Sequence, residues 1–378
     1  MKLRPLIVVF IVVLTGCIAS NSKPTTPPYE SEKISLDEMV GQMLIAGFRG
    51  TTISTHSHIL KDIKRYHLGG VVLYEYDVPT KSRPRNIESS VQLKKLVNTL
   101  QDASAVPMII AIDEEGGKVT RLKSRYGFPK GKSAQYLGEL NDSDSTTYWS
   151  EVNAKKLAEN GINFNFAPVV DVNIDPLSPA IGKIERSFSA DPDSVTFHAS
   201  LVVEAHRKHN VLTSLKHFPG HGSASADSHL GFTDVTDTWQ EKELKPFRQL
   251  IGSGHVDAIM TAHVFHSKLD SLYPATLSKN ILTGILREQL DWDGVIISDD
   301  MQMGAIADHF GLEVALEKCI NAGADMLIFS NNIPGKYDVE IIPKAFETIK
   351  ALVESGKISE KRIQEAYQRI MTLKEKLK

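Results

Sequence analysis

Leu212-Thr213-Ser214-Leu215-Lys216-His217-Phe218-Pro219-Gly220-His221-Gly222 begins as an apolar run and ends in a crowd of ionisable and chain-bending residues. Leu212 to His217 reads as a strand buried on both faces, with its polar groups gathered at the C-terminal end. The same reading fits seven more runs: Met43 to Phe48, Gly70 to Tyr74, Met108 to Asp113, Asn163 to Asp171, Ala258 to Val264, Val295 to Asp299 and Met326 to Ser330. Stretches of helical period lie between them, among them Val91 to Gln101, Ser145 to Asn160, Ser194 to His209, Glu241 to Ser253 and Lys279 to Leu290, with Glu360 to Lys378 closing the chain. Eight strands alternating with helices predict an α/β fold, a single (β/α)8 TIM barrel. An open doubly wound sheet is disfavoured because no G-x-G-x-x-G follows the first strand. Polar residues also end at least five different strands, and in a barrel those ends converge on one mouth.

The composition is that of an ordinary globular protein. Its 378 residues carry 43 Lys+Arg against 46 Asp+Glu, a net charge of −3 without a long basic block, which gives no footprint for nucleic acid. Two cysteines, Cys17 and Cys319, exclude a disulfide framework. Cys319 sits in an apolar helical context and reads as a small buried hydrophobe. No cofactor or metal is expected: the chain lacks G-x-x-x-x-G-K-[ST], His263 and His266 have no partners at ligand spacing, and His206 and His209 read as a polar helix face.

At the N-terminus, Lys2 and Arg4 precede the apolar run Leu6–Leu14, followed by Thr15-Gly16-Cys17. Nine apolar residues are few for roughly 30 Å of hydrocarbon but suit a secretory signal. Leu14-Thr15-Gly16-Cys17 resembles the lipobox of bacterial lipoproteins, which implies lipidation at Cys17 and a membrane partner at the bacterial cell envelope, at the outer membrane or cell surface. Residues 18–33, rich in Pro, Ser and Thr, read as a tether. The barrel is expected over residues 34–378.

Four constellations fall at strand ends: Asp113-Glu114-Glu115-Gly116-Gly117, the Lys216–Gly222 stretch, Asp227-Ser228-His229, and Ser298-Asp299-Asp300-Met301. A carboxylate that ends an apolar strand is costly unless it is hydrogen-bonded or used. Taken singly, such an Asp reads as a helix cap or loop anchor; four in one mouth favour chemistry. Together they resemble glycoside hydrolase family 3, in its bacterial β-N-acetylglucosaminidase branch. Lys-His-Phe-Pro-Gly-His-Gly, with Asp-Ser-His five residues later, is the most specific part.

That resemblance implies a TIM barrel that hydrolyses terminal β-linked N-acetylglucosamine with retention. Asp299 is then the nucleophile, and Asp300 a structural acceptor or helix cap. Retaining hydrolysis also needs a proton donor. With no residues left for a separate domain to supply one, the donor is expected to be His229, oriented by Asp227 on a small-residue loop from Gly220 to Gly231. Asp113 is expected to accept from sugar hydroxyls, Lys216 and His217 to donate to them, and Arg121 and Arg186 to contact the sugar or else form surface salt bridges. His221, Glu114 and Glu115 read as loop braces. Lys118 and Met301-Gln302-Met303 depart mildly from the family pattern and leave Asp299 in place. The expected partner is an N-acetylglucosamine-containing glycan of the cell wall, peptidoglycan fragments above all. Two alternatives remain open: a glycoside phosphorylase, because an imidazole in place of a carboxylate repels phosphate less, and an inactive lipid-anchored sugar-binding protein.

Overall fold

A computed structural model describes residues 34–226, 231, 233–335 and 337–377. Cys17, Asp227 and His229 lie outside the described residues, as do the expected signal segment and tether. Ser35–Lys378 forms one compact unit.

Eight strands close a parallel barrel: β1 (Leu44–Gly47), β2 (Gly70–Leu73), β3 (Ile109–Ile112), β4 (Phe164–Asn165), β5 (Leu212–Phe218), β6 (Ala258–Thr261), β7 (Val295–Asp300) and β8 (Met326–Phe329). Each pairs with its neighbours in chain order, and β1 meets β8 with Leu44 opposite Leu327. Every residue of these eight strands except Asp299 is buried. Each such Val, Leu or Ile contributes roughly 1.5–3 kcal/mol by leaving water, so the near-continuous apolar runs specify the barrel from both faces. The outer ring follows from amphipathic segments with capped ends. In Pro192–Lys208, Asp191 caps the first turn, Pro192 opens it, and His206, Arg207 and Lys208 close it at the negative end of the helix dipole. Among the described residues no helix is long and apolar enough to cross a membrane.

Four local expectations are corrected. The fourth strand, expected over Asn163 to Asp171, is only Phe164–Asn165 in the ladder, because Pro168 has no N–H to donate. The chain beyond it stays beside β5 through Lys216 N to Pro168 O (3.2 Å) and Val170 N to Lys216 O (2.8 Å), which carries Asp171 to the mouth. The run Ala258 to Val264 splits after Thr261, and Val264–Phe265 pairs with Thr233–Asp234 in a separate two-stranded ribbon. Lys279 to Leu290 winds as a π-helix over Asn280–Gln289. His206 is buried, not on a polar face: it shares the inner stripe with Val202 and Val203, and its Nε2 lies 2.9 Å from Asn165 Nδ2. Cys319 is buried, and burial pushes its thiol upward.

Two glycines let one main-chain segment lie directly on another. A Cβ at Gly222 would stand 1.8 Å from Val172 O, and one at Gly47 would stand 1.7 Å from Ser330 O.

Candidate active site

The C-terminal ends of the strands surround a cavity of about 390 Å³. Asp113 reaches it from the end of β3, Arg121 and Arg186 from the following loops, Lys216 and His217 from β5, and Asp299 and Asp300 from β7. Six residues singled out in the sequence for chemistry or sugar contact, Asp113, Arg121, Arg186, Lys216, His217 and Asp299, therefore line one wall-to-wall space.

Lys216 is the hub. Its ammonium, on a side chain 1% exposed, lies 2.8 Å from Asp113 Oδ1 and 2.7 Å from Glu115 Oε1. Glu115 in turn accepts from Arg186 Nε at 2.8 Å and Nη2 at 2.7 Å, a planar two-point grip. Burial works to raise the Glu115 carboxyl, but the Arg186 and Lys216 charges outweigh it and hold the group at about 2. The same contest leaves Asp113 below its ordinary value, with burial opposed by Lys216 and Arg121. The sequence reading placed Glu115 with the loop braces; in the structure it braces two side chains of the cavity wall, Lys216 and Arg186, without lining the cavity itself. Arg186 is buried against it and is no surface salt-bridge residue.

Glu114, one residue earlier, points the other way and ties up its own loop. It accepts from Arg121 N (2.8 Å), Leu122 N (2.9 Å), Lys156 Nζ (2.8 Å) and the Thr120 hydroxyl. That knot presents Arg121, whose Nη2 sits 3.5 Å from Asp113 Oδ2 and whose buried Nε makes no hydrogen bond. A buried donor left unmatched in a cavity wall fits an oxygen of a bound ligand.

Asp299 receives the Asp300 N–H at 2.7 Å on Oδ1, and its own N–H meets Thr261 Oγ1 at 3.3 Å. Asp300 behaves as a structural acceptor. It takes the Ser330 N–H and the Gln302 N–H, each at 3.1 Å, together with the Ser330 hydroxyl, and joins β7 to β8. Burial, reinforced by the Asp299 charge, raises Asp300 to about 6.

The residue missed in the sequence is Asp171. It is fully buried and accepts the His217 N–H (3.1 Å) and the His221 N–H (2.8 Å), with Oδ2 2.7 Å from His217 Nδ1. The signal was present, because Asp171 ends the expected fourth strand just as Asp113 ends the third. His217 was expected to donate into the site, but its Nε2 faces Arg186 Nη2 at 3.3 Å, and a guanidinium can only donate. Among the described residues no group of three or more His, Cys, Asp or Glu is placed to hold a metal ion.

Three cations interleaved with carboxylates, plus Asp299, make a surface of alternating fixed donors and acceptors, suited to a polyhydroxylated ligand. The family model for the glycosyl hydrolase family 3 N terminal domain matches residues 35–373. Beta-hexosaminidase A of Pseudoalteromonas piscicida is 30% identical over 91% of this chain and 62% of its own length. A beta-hexosaminidase of Tolumonas auensis is 36% identical over 71% of this chain and 77% of its own. Among solved structures, a glycoside hydrolase family 3 beta-N-acetylglucosaminidase from Paenibacillus sp. FPU-7 superposes with a TM-score of 0.82 at 34% identity, covering 91% of this chain and 63% of that one. The chain thus spans less than two thirds of the Pseudoalteromonas and Paenibacillus proteins. Barrel, strand-end motifs and matched length agree: the chain belongs to glycosyl hydrolase family 3.

Proposed function

We propose that this protein is a retaining, exo-acting β-N-acetylglucosaminidase. The observation that carries the reading is the placement of Asp299 at the end of β7, facing the same cavity as Lys216, Asp113 and Arg186, an array held together by Glu115. A carboxylate there attacks the anomeric carbon, and the array fixes the sugar hydroxyls so that attack is in line. Glycosyl-Asp299 is then hydrolysed by water. His229, held by Asp227, protonates the leaving oxygen and later deprotonates that water; the support for this dyad is the Asp-Ser-His motif after Gly222. The names of the relatives support the sugar. The Leu-Thr-Gly-Cys17 motif supports a lipid anchor at the bacterial envelope, and with it a cell-wall glycan substrate.

The test is release of nitrophenol from its β-N-acetylglucosaminide, with the anomer first formed read by NMR. Turnover with the β-product formed first, and loss on Asp299→Ala by about 10⁴-fold or more, is the expected result. No turnover, or a first-formed α-product, rejects the reading. Sugar 1-phosphate appearing on addition of phosphate assigns the chain as a phosphorylase instead.

A further inference from the structure

Asp171 does not line the cavity, yet it controls a residue that does. Its Oδ1 is occupied by two backbone N–H groups, which pins the carboxylate, and its Oδ2 faces His217 Nδ1 at 2.7 Å. Burial acts to raise the Asp171 carboxyl, but two backbone N–H donors on Oδ1 and the His217 ring nitrogen at 2.7 Å from Oδ2 favour the charged form, and the group stays below its ordinary value. An ionised carboxylate only accepts, so Nδ1 must carry the ring proton. At the far side of the ring Arg186 Nη2 approaches Nε2 to 3.3 Å, and a guanidinium only donates, so Nε2 presents its lone pair. Both neighbours dictate the same tautomer.

We infer that Asp171 is a positioning residue that fixes His217 as its Nδ1–H tautomer, so that Nε2 meets the ligand as a hydrogen-bond acceptor and selects a hydroxyl that donates. This deepens the proposed function and rests on its reading of the cavity as a sugar site. The Arg186 contact is long for a hydrogen bond, and Arg186 stays anchored without it through Glu115 and Ala180 O (2.9 Å). An incoming hydroxyl therefore replaces the Arg186 N–H at the lone pair while the arginine keeps its other three bonds. Lys216, Arg121 and Arg186 all donate to ligand oxygens and tolerate any acceptor. His217 is different in kind: an ether oxygen or a fluorine at the hydroxyl it meets offers no hydrogen and turns its own lone pairs toward the acceptor, so the bond the hydroxyl makes is lost.

Two measurements test this. The first is side-chain ¹⁵N NMR of the histidines at neutral pH, with the His217 resonances among those of the 13 histidines assigned through His217→Gln. A protonated Nδ1 and a bare Nε2 are expected, and that tautomer should be lost in Asp171→Asn, whose amide can donate to Nδ1. A protonated Nε2 in the wild-type protein, or an unchanged tautomer in Asp171→Asn, overturns the inference. The second compares binding of N-acetylglucosamine with its monodeoxy and monodeoxyfluoro derivatives to the wild-type protein, so no variant has to fold. At one ring position hydrogen and fluorine should weaken binding equally, by about tenfold or more. Fluorine tolerated at every position overturns the inference. A wild-type protein with the stated tautomer but no turnover of the nitrophenyl glycoside rejects the proposed function instead, so the two failures are distinct.

Discussion

Arg186 and Glu115 meet through two parallel hydrogen bonds of 2.8 and 2.7 Å, from loops that follow different strands, with both side chains 10% exposed or less. Removing one partner of such a pair strands the other charge away from water. Glu115→Gln should cost about 3–5 kcal/mol of stability and raise KM, read by denaturant unfolding and steady-state kinetics. The pH sign is fixed by the depressed Glu115 carboxyl. Its contribution is complete above the ordinary value of 4.5 and is lost as pH falls toward about 2. The stability gap between wild type and Glu115→Gln should therefore narrow across that window.

Asp300 runs the opposite way. Its carboxyl, raised from 3.8 to about 6, binds a proton more tightly in the folded state, so its titration subtracts stability as pH rises through that interval. Asp300→Asn retains an acceptor for the Ser330 and Gln302 N–H groups and does not titrate. Unfolding measured from pH 3.8 to 6 should show the wild type losing ground to Asp300→Asn.

At the other end of the barrel, Lys374 is buried, its ammonium donates to Gln42 Oε1 at 2.6 Å, and burial lowers it from 10.5 to about 7. A depressed amine destabilises the fold as pH falls from the first value to the second. Lys374→Met should raise the melting temperature at pH 6 and raise it less, or lower it, near pH 10.

His229→Ala should slow substrates with poor leaving groups by about 10²-fold or more and affect nitrophenyl glycosides much less. The slope of log kcat/KM against leaving-group pKa measures the difference, and an unchanged slope removes His229 from the acid role.

The barrel was legible in the sequence because its strands are buried on both faces and need no partner to be recognised. The strand-end chemistry was legible where it is local: Lys216 and His217 sit side by side, as do Asp299 and Asp300. What the sequence concealed is pairing across the mouth. Asp171 finds His217 at a separation of 46 residues and Arg186 finds Glu115 at 71, distances set by which strands are neighbours in the closed sheet. Glu114 and Glu115 could not be told apart by type, since only the turn between β3 and its helix sends one inward and one to the loop. His206 was misread although Val202 and Val203, one turn before it, mark the inward stripe.

The contact of Gly222 with the Val172 carbonyl bears on how a saturation-mutagenesis map of this protein would look. Every other amino acid at 222 pushes two main-chain segments apart just where Asp171 and His221 are hydrogen-bonded. Position 222 should therefore score as intolerant as Asp299 while never contacting a ligand. A ranking by lost activity would group it with the reacting residues, and only a parallel abundance readout would separate a seam in the scaffold from a participant in the reaction.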